Sequence, residues 1–148
     1  MRAGDLATPY PTVALSTPVI EAARLLAARN LPGLIVVDEA GRPATILPGT
    51  LVLRMAVPRY CQEDPALARV VDEAAADVFL RGLGERSVAE ALPPGRRELP
   101  VVDPEATVLE VAALMARTRS PLVAVAEPDG TLRGAITLAA LLDRTLGS

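Results

Sequence analysis

The residue types that most often perform catalysis are absent from this sequence or occur once. Its 148 residues include no His, all 15 basic residues are Arg, and Cys61 is the single cysteine, which cannot form an intramolecular disulfide. Without His or Lys there is no Ser–His or Cys–His nucleophile pair, no imidazole metal ligand, no Schiff base and no Walker-type phosphate loop. The acidic residues show no paired-carboxylate motif. The sequence therefore predicts that the protein is not an enzyme.

A group of acidic residues at Asp72, Glu73 and Asp77 is the strongest candidate for a metal site. However, Arg69 lies four residues before Glu73, and Arg81 lies four residues after Asp77. This spacing favours ion pairs along one exposed face of a helix. We therefore predict a solvated helix face and no metal.

Charge, aromatic content and apolar runs exclude further classes of protein. The net charge is −3, and the aromatic residues are two Tyr and one Phe. An acidic chain with so few rings lacks both the basic surface and the stacking platform of nucleic-acid-binding proteins. No apolar run reaches the roughly 20 residues of a membrane span, and no signal peptide opens the chain. We expect a cytoplasmic protein with no nucleic-acid partner and no membrane insertion.

The sequence repeats itself at an offset of 89 residues. Residues 107–142 align without a gap with residues 18–53. An internal repeat of this length indicates two copies of one structural unit, and it takes precedence over local patterns. The identical pairs include Glu21/Glu110, Ala23/Ala112, Leu25/Leu114, Pro32/Pro121, Val36/Val125, Gly41/Gly130 and Leu53/Leu142.

Each copy is predicted to fold as helix, strand, turn, strand and helix. Apolar residues at i, i+3, i+4 and i+7 predict the first helix, and Thr107 with Glu110 forms a capping box at its start in the second copy. Short apolar runs on either side of Gly41 or Gly130 predict two strands joined by a tight turn. The closing helices are predicted at residues 50–57 and 138–146, and short extended pieces precede the copies at residues 12–15 and 99–102.

This order of elements resembles the CBS domain, named for cystathionine beta-synthase. The second copy carries the matching motifs at residues 121–125 (PLVAV), 129–130 (DG) and 134–137 (GAIT). The resemblance implies an α/β fold in which two CBS domains, related by a pseudo-twofold axis, pack as one Bateman module. It divides the chain into a first CBS domain (1–57), a helical connector (58–86) with one helix at residues 65–81, and a second CBS domain (87–148).

The resemblance also implies a ligand site in the second copy. Thr137 stands where the family's Thr contacts phosphate, and Gly134 stands where the backbone closely approaches the ligand. The alternative role of the Thr137 hydroxyl is to cap the helix that follows. Arg96 and Arg97 lie on a loop near the family's cleft, where they either bind phosphates in pairs of hydrogen bonds or are solvated. The candidate ligand-binding residues are Val101, Pro121, Gly134, Thr137, Arg96 and Arg97.

Both copies depart from the family at the ribose-binding Asp, whose place is taken by Leu51 or Ala140. Loss of a charge-assisted hydrogen bond of this kind costs about 1.5–3 kcal/mol, or roughly 10- to 100-fold in affinity. In the first copy Pro48 also replaces the Thr, and proline has no backbone donor. We therefore expect the first half-site not to bind nucleotides in the usual mode and residues 47–53 to serve packing.

Two functions follow from the resemblance. The first is a stand-alone regulatory module that senses an adenine nucleotide or a similar ligand (AMP, ATP or S-adenosylmethionine) in the inter-domain cleft and modulates a separate enzyme or transporter. The second is a constitutive protein-interaction scaffold whose nucleotide clefts have degenerated. Family modules commonly dimerise through the closing helices, so a homodimer is expected. Whether side chains such as Leu51 fill the clefts is a question for the structure.

Overall fold

The two copies of the repeat form two three-stranded sheets with the same strand order. A computed structural model describes residues 1–57, 62–64, 66, 69, 75–93 and 99–147. In each sheet the first strand pairs parallel to the second, and the second pairs antiparallel to the third. The first sheet consists of β1 (Thr12–Ala14), β2 (Gly33–Val37) and β3 (Pro43–Pro48), and the second of β4 (Val101–Val102), β5 (Leu122–Ala126) and β6 (Leu132–Thr137).

The strand register repeats at the offset found in the sequence. Gly33 pairs with Pro48 in the first sheet, and Leu122 pairs with Thr137 in the second, 89 residues further on in both strands. Irregularities of pairing follow at the same point of β2 and β5. The connecting turns contain Gly41 at φ 80° and Gly130 at φ 94°, where a side chain would be strained. The predicted repeat is confirmed at the level of single hydrogen-bonded pairs.

Seven helices are described within the resolved ranges. The Thr107 hydroxyl accepts a hydrogen bond from the Glu110 backbone, as the capping box predicts. In the first repeat Pro18 takes the cap position instead, and the Thr17 hydroxyl accepts from Ala14 N at 2.9 Å. Most of the predicted connector helix 65–81 lies outside the described residues. The helices are α1 (Ala3–Leu6), α2 (Val19–Ala28), α3 (Gly49–Ala56), α4 (Ala75–Leu83), α5 (Val88–Ala91), α6 (Val108–Thr118) and α7 (Leu138–Leu146).

The two repeats exchange the short helices that precede them. Ala3 and Leu6 of α1 are buried in the core of the second repeat, among Val111, Val123 and Ile136. Reciprocally, α5 contributes Val88 to the core of the first repeat. Packing thus crosses the predicted domain boundaries, which remain predictions.

Matching backbone hydrogen bonds hold the two exchanged helices. The Ala3 amide donates to Ala106 O, and the Val88 amide donates to Thr17 O, both at 2.8 Å. The acceptors, residues 17 and 106, are 89 apart and the donors are 85 apart, because the second repeat has four more residues between its short helix and its first strand. Each repeat is completed by a segment that precedes the other.

The two sheets pack face to face around a third buried cluster, formed by Ile35, Ile46, Leu122, Ala124 and Ala135. This cluster draws on both sheets, and the two repeats are related by a pseudo-twofold axis through it. The fold is therefore α/β, with two like halves in one module. Across the described part of the chain, no helix has the length and apolar character needed to cross a bilayer.

Candidate functional site

The repeat relates two clefts between the repeats, one beside β3 and one beside β6. Each is bounded by the last strand of one repeat and by the junction between the first helix and second strand of the other. We call the cleft beside β6 the second cleft, because it contains the site predicted from the sequence. We call the space beside β3 the inter-repeat cavity.

In the second cleft, Gly134 is approached by this chain's own backbone. The segment after α1 lies against β6, where Thr8 N donates to Ala135 O at 3.0 Å and Ala135 N donates to Thr8 O at 2.9 Å. A Cβ atom on Gly134 would lie 2.5 Å from Thr8 O. The close approach expected at Gly134 is therefore made by Thr8.

Thr137 caps α7. Its hydroxyl accepts a hydrogen bond from Ala140 N at 3.1 Å, which satisfies one of the free amides at the helix start. Pro121 lies opposite, where its carbonyl accepts from Leu138 N at 3.0 Å. Of the two roles considered for the Thr137 hydroxyl, the structure shows the capping role.

The other predicted residues lie elsewhere. Val101 pairs with Ala124 in β4, and its side chain lines a shallow cavity of about 320 Å³ between the two hairpins. Arg96 and Arg97 are outside the described residues. The structure thus brings Pro121, Gly134 and Thr137 to one end of the interface, with Val101 on an edge strand.

The shallow cavity at the hairpins is closed on one side by Arg42. A Cβ on Gly130 would lie 3.0 Å from the Arg42 Cδ, so the arginine stem lies across the turn of the second repeat. Hydrogen bonds from Thr131, with a smaller contribution from Arg42, hold the pKa of Asp129 below its usual value. These groups stabilise the neighbouring turn.

Tyr10 extends from the segment that holds Thr8 to the first repeat. Its hydroxyl donates to Gly33 O at 2.6 Å, and its ring packs against the cluster between the sheets. Burial raises the pKa of Tyr10 to about 12, and the charge of Arg29 opposes this rise only in part. Tyr10 is thus a structural contact between the repeats.

The inter-repeat cavity beside β3 has a volume of about 430 Å³. The first repeat contributes the outer strand β3, and the second contributes the end of α6 and the residues that lead into β5. This volume lies within the range of pockets that hold small molecules and cofactors. The described residues that line it are Thr45, Ile46, Pro48, Pro100, Arg117, Thr118, Arg119 and Ser120.

Arg119 gives the inter-repeat cavity a positive wall. It is exposed and adopts the left-handed conformation, with φ 54° and ψ 34°, at the end of α6. The equivalent residue of the first repeat is Asn30, at φ 52°. Asn tolerates this conformation better than Arg does, so the backbone is more strained at Arg119 than at Asn30. The strained residue is the one that places a positive charge beside the cavity.

The start of α3 supplies a second group that favours anions. Pro48 occupies the cap position of this helix, and no side chain caps it. The amides at a helix start carry partial positive charge, and they attract anions when no side chain satisfies them. The equivalent amide of the second repeat, that of Ala140, is occupied by Thr137. The replacement of Thr by Pro48 therefore leaves a helix start without a side-chain acceptor beside the cavity.

The local sequence patterns do not identify the inter-repeat cavity as a binding site. The available signal was the repeat alignment itself, in which Arg119 matches Asn30 and Pro48 matches Thr137. Leu51, the other departure, packs against the core of the first repeat, whereas Pro48, in the stretch 47–53 predicted to serve packing, lines the cavity. Among the residues that the structure describes, no group of three or more acidic or sulfur-bearing side chains is placed to hold a metal ion.

Comparison with solved structures gives several similar folds. A CBS domain-containing protein of unknown function from Kribbella flavida is 48% identical, covers 99% of both chains and has a TM-score of 0.83. A structure of CBSX2 in complex with AMP is 21% identical over 98% of this chain and 96% of that one, with a TM-score of 0.69. The CBS domain of a membrane protein from Sphaerobacter thermophilus is 23% identical, covers 97% and 86%, and has a TM-score of 0.69.

Comparison with curated proteins gives no match. A model of the CBS domain family matches residues 3–50 and 89–147, which together make up more than half of the chain. Both matched regions coincide with the repeats whose strand register and exchanged helices are described above. The chain belongs to the CBS domain family, of which it contains a tandem pair.

Proposed function

We propose that this protein is a regulatory binding module that takes an adenine nucleotide or a similar anionic ligand in the inter-repeat cavity. The observation that carries the proposal is that Arg119 and the uncapped start of α3 lie beside one cavity of about 430 Å³. Phosphate oxygens accept hydrogen bonds from arginine and from helix-start amides. An anionic ligand would satisfy both groups.

Adenine nucleotides are the first ligands to test, because CBSX2, which shares the fold at 21% identity, has been crystallised with AMP. S-adenosylmethionine is also among the ligands to test, because it carries the same adenosine group together with a cationic centre. A site that recognises phosphate would bind ATP in preference to it, since Arg119 would repel the cation.

The second cleft, with Pro121, Gly134 and Thr137, is the competing location for the ligand, and the sequence also predicts Val101, Arg96 and Arg97 as ligand-binding residues. There the Thr137 hydroxyl is engaged with Ala140 N and the Gly134 backbone is engaged with Thr8. These contacts favour the inter-repeat cavity. The two locations differ in the residues on which binding depends, so mutation separates them.

The test is calorimetric titration of the protein with AMP, ADP, ATP, S-adenosylmethionine, NAD and GTP, repeated on two variants. Arg119→Asn removes the charge and installs the residue that the first repeat carries at the same left-handed position. Thr137→Val removes the hydroxyl of the second cleft and retains the side-chain shape. We expect Arg119→Asn to weaken binding of the preferred nucleotide roughly 10- to 100-fold, the usual effect of a charged hydrogen bond.

The matched control is Arg24→Asn on the exposed face of α2, which should leave affinity unchanged. A loss of binding in Thr137→Val with normal binding in Arg119→Asn would move the site to the second cleft. The absence of a heat of binding for every nucleotide at millimolar concentration would contradict the proposal as a whole.

We further propose that the protein acts on a separate enzyme or transporter and does so as a homodimer. The closing helices α3 and α7 support a dimer because they expose leucines at positions where a helix that faces solvent normally carries polar residues. These are Leu53 at 50% exposure and Leu138, Leu142 and Leu146 at 48%, 45% and 81%. An effector protein would sense the ligand through a change at this surface or at the cavity rim.

A constitutive scaffold is the second candidate function. The observation in its favour is that no carboxylate stands at the ribose position of either repeat, where Leu51 packs in a core and Ala140 has only a methyl group. A scaffold would bind its protein partner with the same affinity in the presence and absence of nucleotide. A change of affinity with ATP, measured on a captured partner, would decide for the sensor.

A further inference from the structure

We propose that Tyr10 is a built-in occupant of the second cleft, so that each chain binds one ligand and not two. The inference rests on the proposed function, since it states how many of the two related clefts are open. It follows from the pseudo-symmetry of the repeats combined with the contacts of this one side chain.

The repeat offset of 89 residues assigns an equivalent to each wall of the inter-repeat cavity. Thr45 and Pro48 correspond to Gly134 and Thr137, which line the second cleft. The end of α6, at Thr118 and Arg119, corresponds to the end of α2, at Arg29 and Asn30. Since strand register and turns follow the same offset, these equivalents lie in equivalent places.

Tyr10 contacts the residues that form the walls of the second cleft. Its hydroxyl donates at 2.6 Å to the carbonyl of Gly33, five residues after α2 ends at Ala28. Arg29 at the end of α2 is close enough to act electrostatically on that hydroxyl. The ring packs on the interface cluster that includes Leu122 and Ala135. A ligand in the second cleft would have to occupy the space of this side chain.

The backbone that carries Tyr10 is fixed on both sides of the cleft. Two residues earlier, Thr8 exchanges two hydrogen bonds with Ala135. Before that, Leu6 is buried in the core of the second repeat. Two residues after Tyr10, β1 begins with Thr12, which pairs with Ile35 of the first repeat. The segment thus joins both repeats, and the Tyr10 ring is held between them.

The inter-repeat cavity has no such occupant among the described residues. Counted back from the first strand of each sheet, the equivalent of Tyr10 is Leu99, which carries no hydroxyl and lines the shallow cavity at the hairpins. The neighbouring Pro100, equivalent to Pro11, lines the inter-repeat cavity. Among the described residues, therefore, Tyr10 has no counterpart that enters the inter-repeat cavity.

The first experiment tests whether the Tyr10 side chain occupies the second cleft, and it needs no nucleotide. Tyr10→Ala removes the ring, and p-cresol, the severed side chain, is added as a probe in a thermal melt. At ten times its Kd it should raise the Tm of Tyr10→Ala by about 4 °C. It should leave the wild type and the control Tyr10→Phe, which retains the ring, unchanged. The absence of a rise in Tyr10→Ala, or an equal rise in all three proteins, would overturn the proposal.

A second measurement applies if Tyr10→Ala does not fold. The chain contains no Trp and two Tyr, so Tyr10 is the only tyrosine in Tyr60→Phe and its fluorescence can be read directly. Acrylamide should quench it with a rate constant several-fold below that of free tyrosine amide. Equal rate constants would show a solvated ring and an unfilled cleft, and the proposal would fall.

The third measurement links the inference to ligand binding. Calorimetric titration of the wild type with ATP should give one equivalent per chain, and two equivalents would refute the built-in occupant. If ATP does not bind to the wild type at all, the proposed function fails, whereas the p-cresol and quenching results still decide whether Tyr10 fills the second cleft.

Discussion

Tyr10 makes an apolar contact through its ring and a hydrogen bond that requires its hydroxyl to remain protonated. The hydroxyl donates to Gly33 O, and deprotonation would both remove that donor and place a negative charge against a carbonyl oxygen. Burial raises the pKa of Tyr10 from 10.0 to about 12. Because the folded state binds this proton more tightly than the unfolded state does, the pKa difference contributes to the pH dependence of stability.

The corresponding prediction concerns alkaline pH. The pKa of Tyr10 is raised on folding, so its contribution to the free energy of unfolding is complete below pH 10 and is lost as the pH rises from 10 through 12. The ring is only partly buried, so we expect a loss of about 1–2 kcal/mol, less than a full two-unit shift would give. Urea unfolding of the wild type and Tyr10→Phe between pH 8 and 12 measures it.

Other groups that titrate in this range affect both proteins alike, and their contribution cancels in the difference between the two curves. The wild type should be the more stable at pH 8, and its advantage over Tyr10→Phe should shrink towards pH 12. Parallel curves over the whole range would show that Tyr10 titrates at its ordinary pKa.

Single residues illustrate how much of the site the sequence could predict. The capping role of Thr137 was one of two alternatives, because a Thr before a helix is chemically suited both to a cap and to a phosphate. The cost of left-handed backbone at Arg119 could not be read from sequence, since it depends on where α6 ends. The hydrogen bond of Tyr10 depends on a contact with Gly33 across the module, which no local pattern encodes.

At the scale of elements, the segment after α1 acts as an additional strand on β6. It joins the sheet at a single residue, Thr8, and it depends on the missing side chain of Gly134. Strand pairing at such close range leaves no room for a Cβ atom. The glycine is therefore required by the neighbouring backbone.

We predict that Gly134→Ala destabilises the fold by about 1–3 kcal/mol, the usual cost of overpacking at a buried position. The added methyl would lie 2.5 Å from Thr8 O, so the segment would move away from β6. Chemical denaturation measures the change, and the Thr8 and Ala135 amides should exchange with solvent faster in the variant.

Gly49→Ala is the matched control, because its added methyl would meet Pro32 O at an ordinary 3.5 Å. Alanine at the start of a helix should leave stability unchanged or raise it. If the two variants were equally stable, the close approach of Thr8 to Gly134 would not be what requires a glycine.

Elements were predicted best where periodicity and turn chemistry agreed. The closing helix at Leu138–Leu146 and the turns at Gly41 and Gly130 occur where the sequence places them. The exchange of α1 and α5 was not predicted, because each is four residues long and tertiary packing decides where so short a helix docks.

At the scale of the whole molecule, the exposed leucines of the closing helices predict the oligomeric state. Light scattering at micromolar concentration should give twice the chain mass of 15.5 kDa. Leu142→Arg should give a monomer, because it places a charge in the apolar stripe of α7, whereas Leu15→Arg, outside the closing helices, should remain dimeric. A monomeric wild type would refute the proposed homodimer.

The exchanged helices predict that the two repeats unfold together. Leu6→Ala should cost about 2–5 kcal/mol, since the side chain is 6% exposed in the core of the second repeat, although it lies at the other end of the sequence. Leu109→Ala, at 78% exposure, should be close to neutral. Calorimetry should show one transition, with equal calorimetric and van't Hoff enthalpies. Two separated transitions would mean that each repeat folds without the other.

The exchange also has a consequence for biosynthesis. Residues 3–6 leave the ribosome about a hundred residues before β5 and β6, with which they share a core. The core of the first repeat must likewise wait for Val88. The core of the second repeat therefore remains incomplete until β5 and β6 have emerged, and α1 exposes its apolar side chains in the meantime. A nascent chain of this protein should thus bind a chaperone until β5 and β6 have left the ribosome.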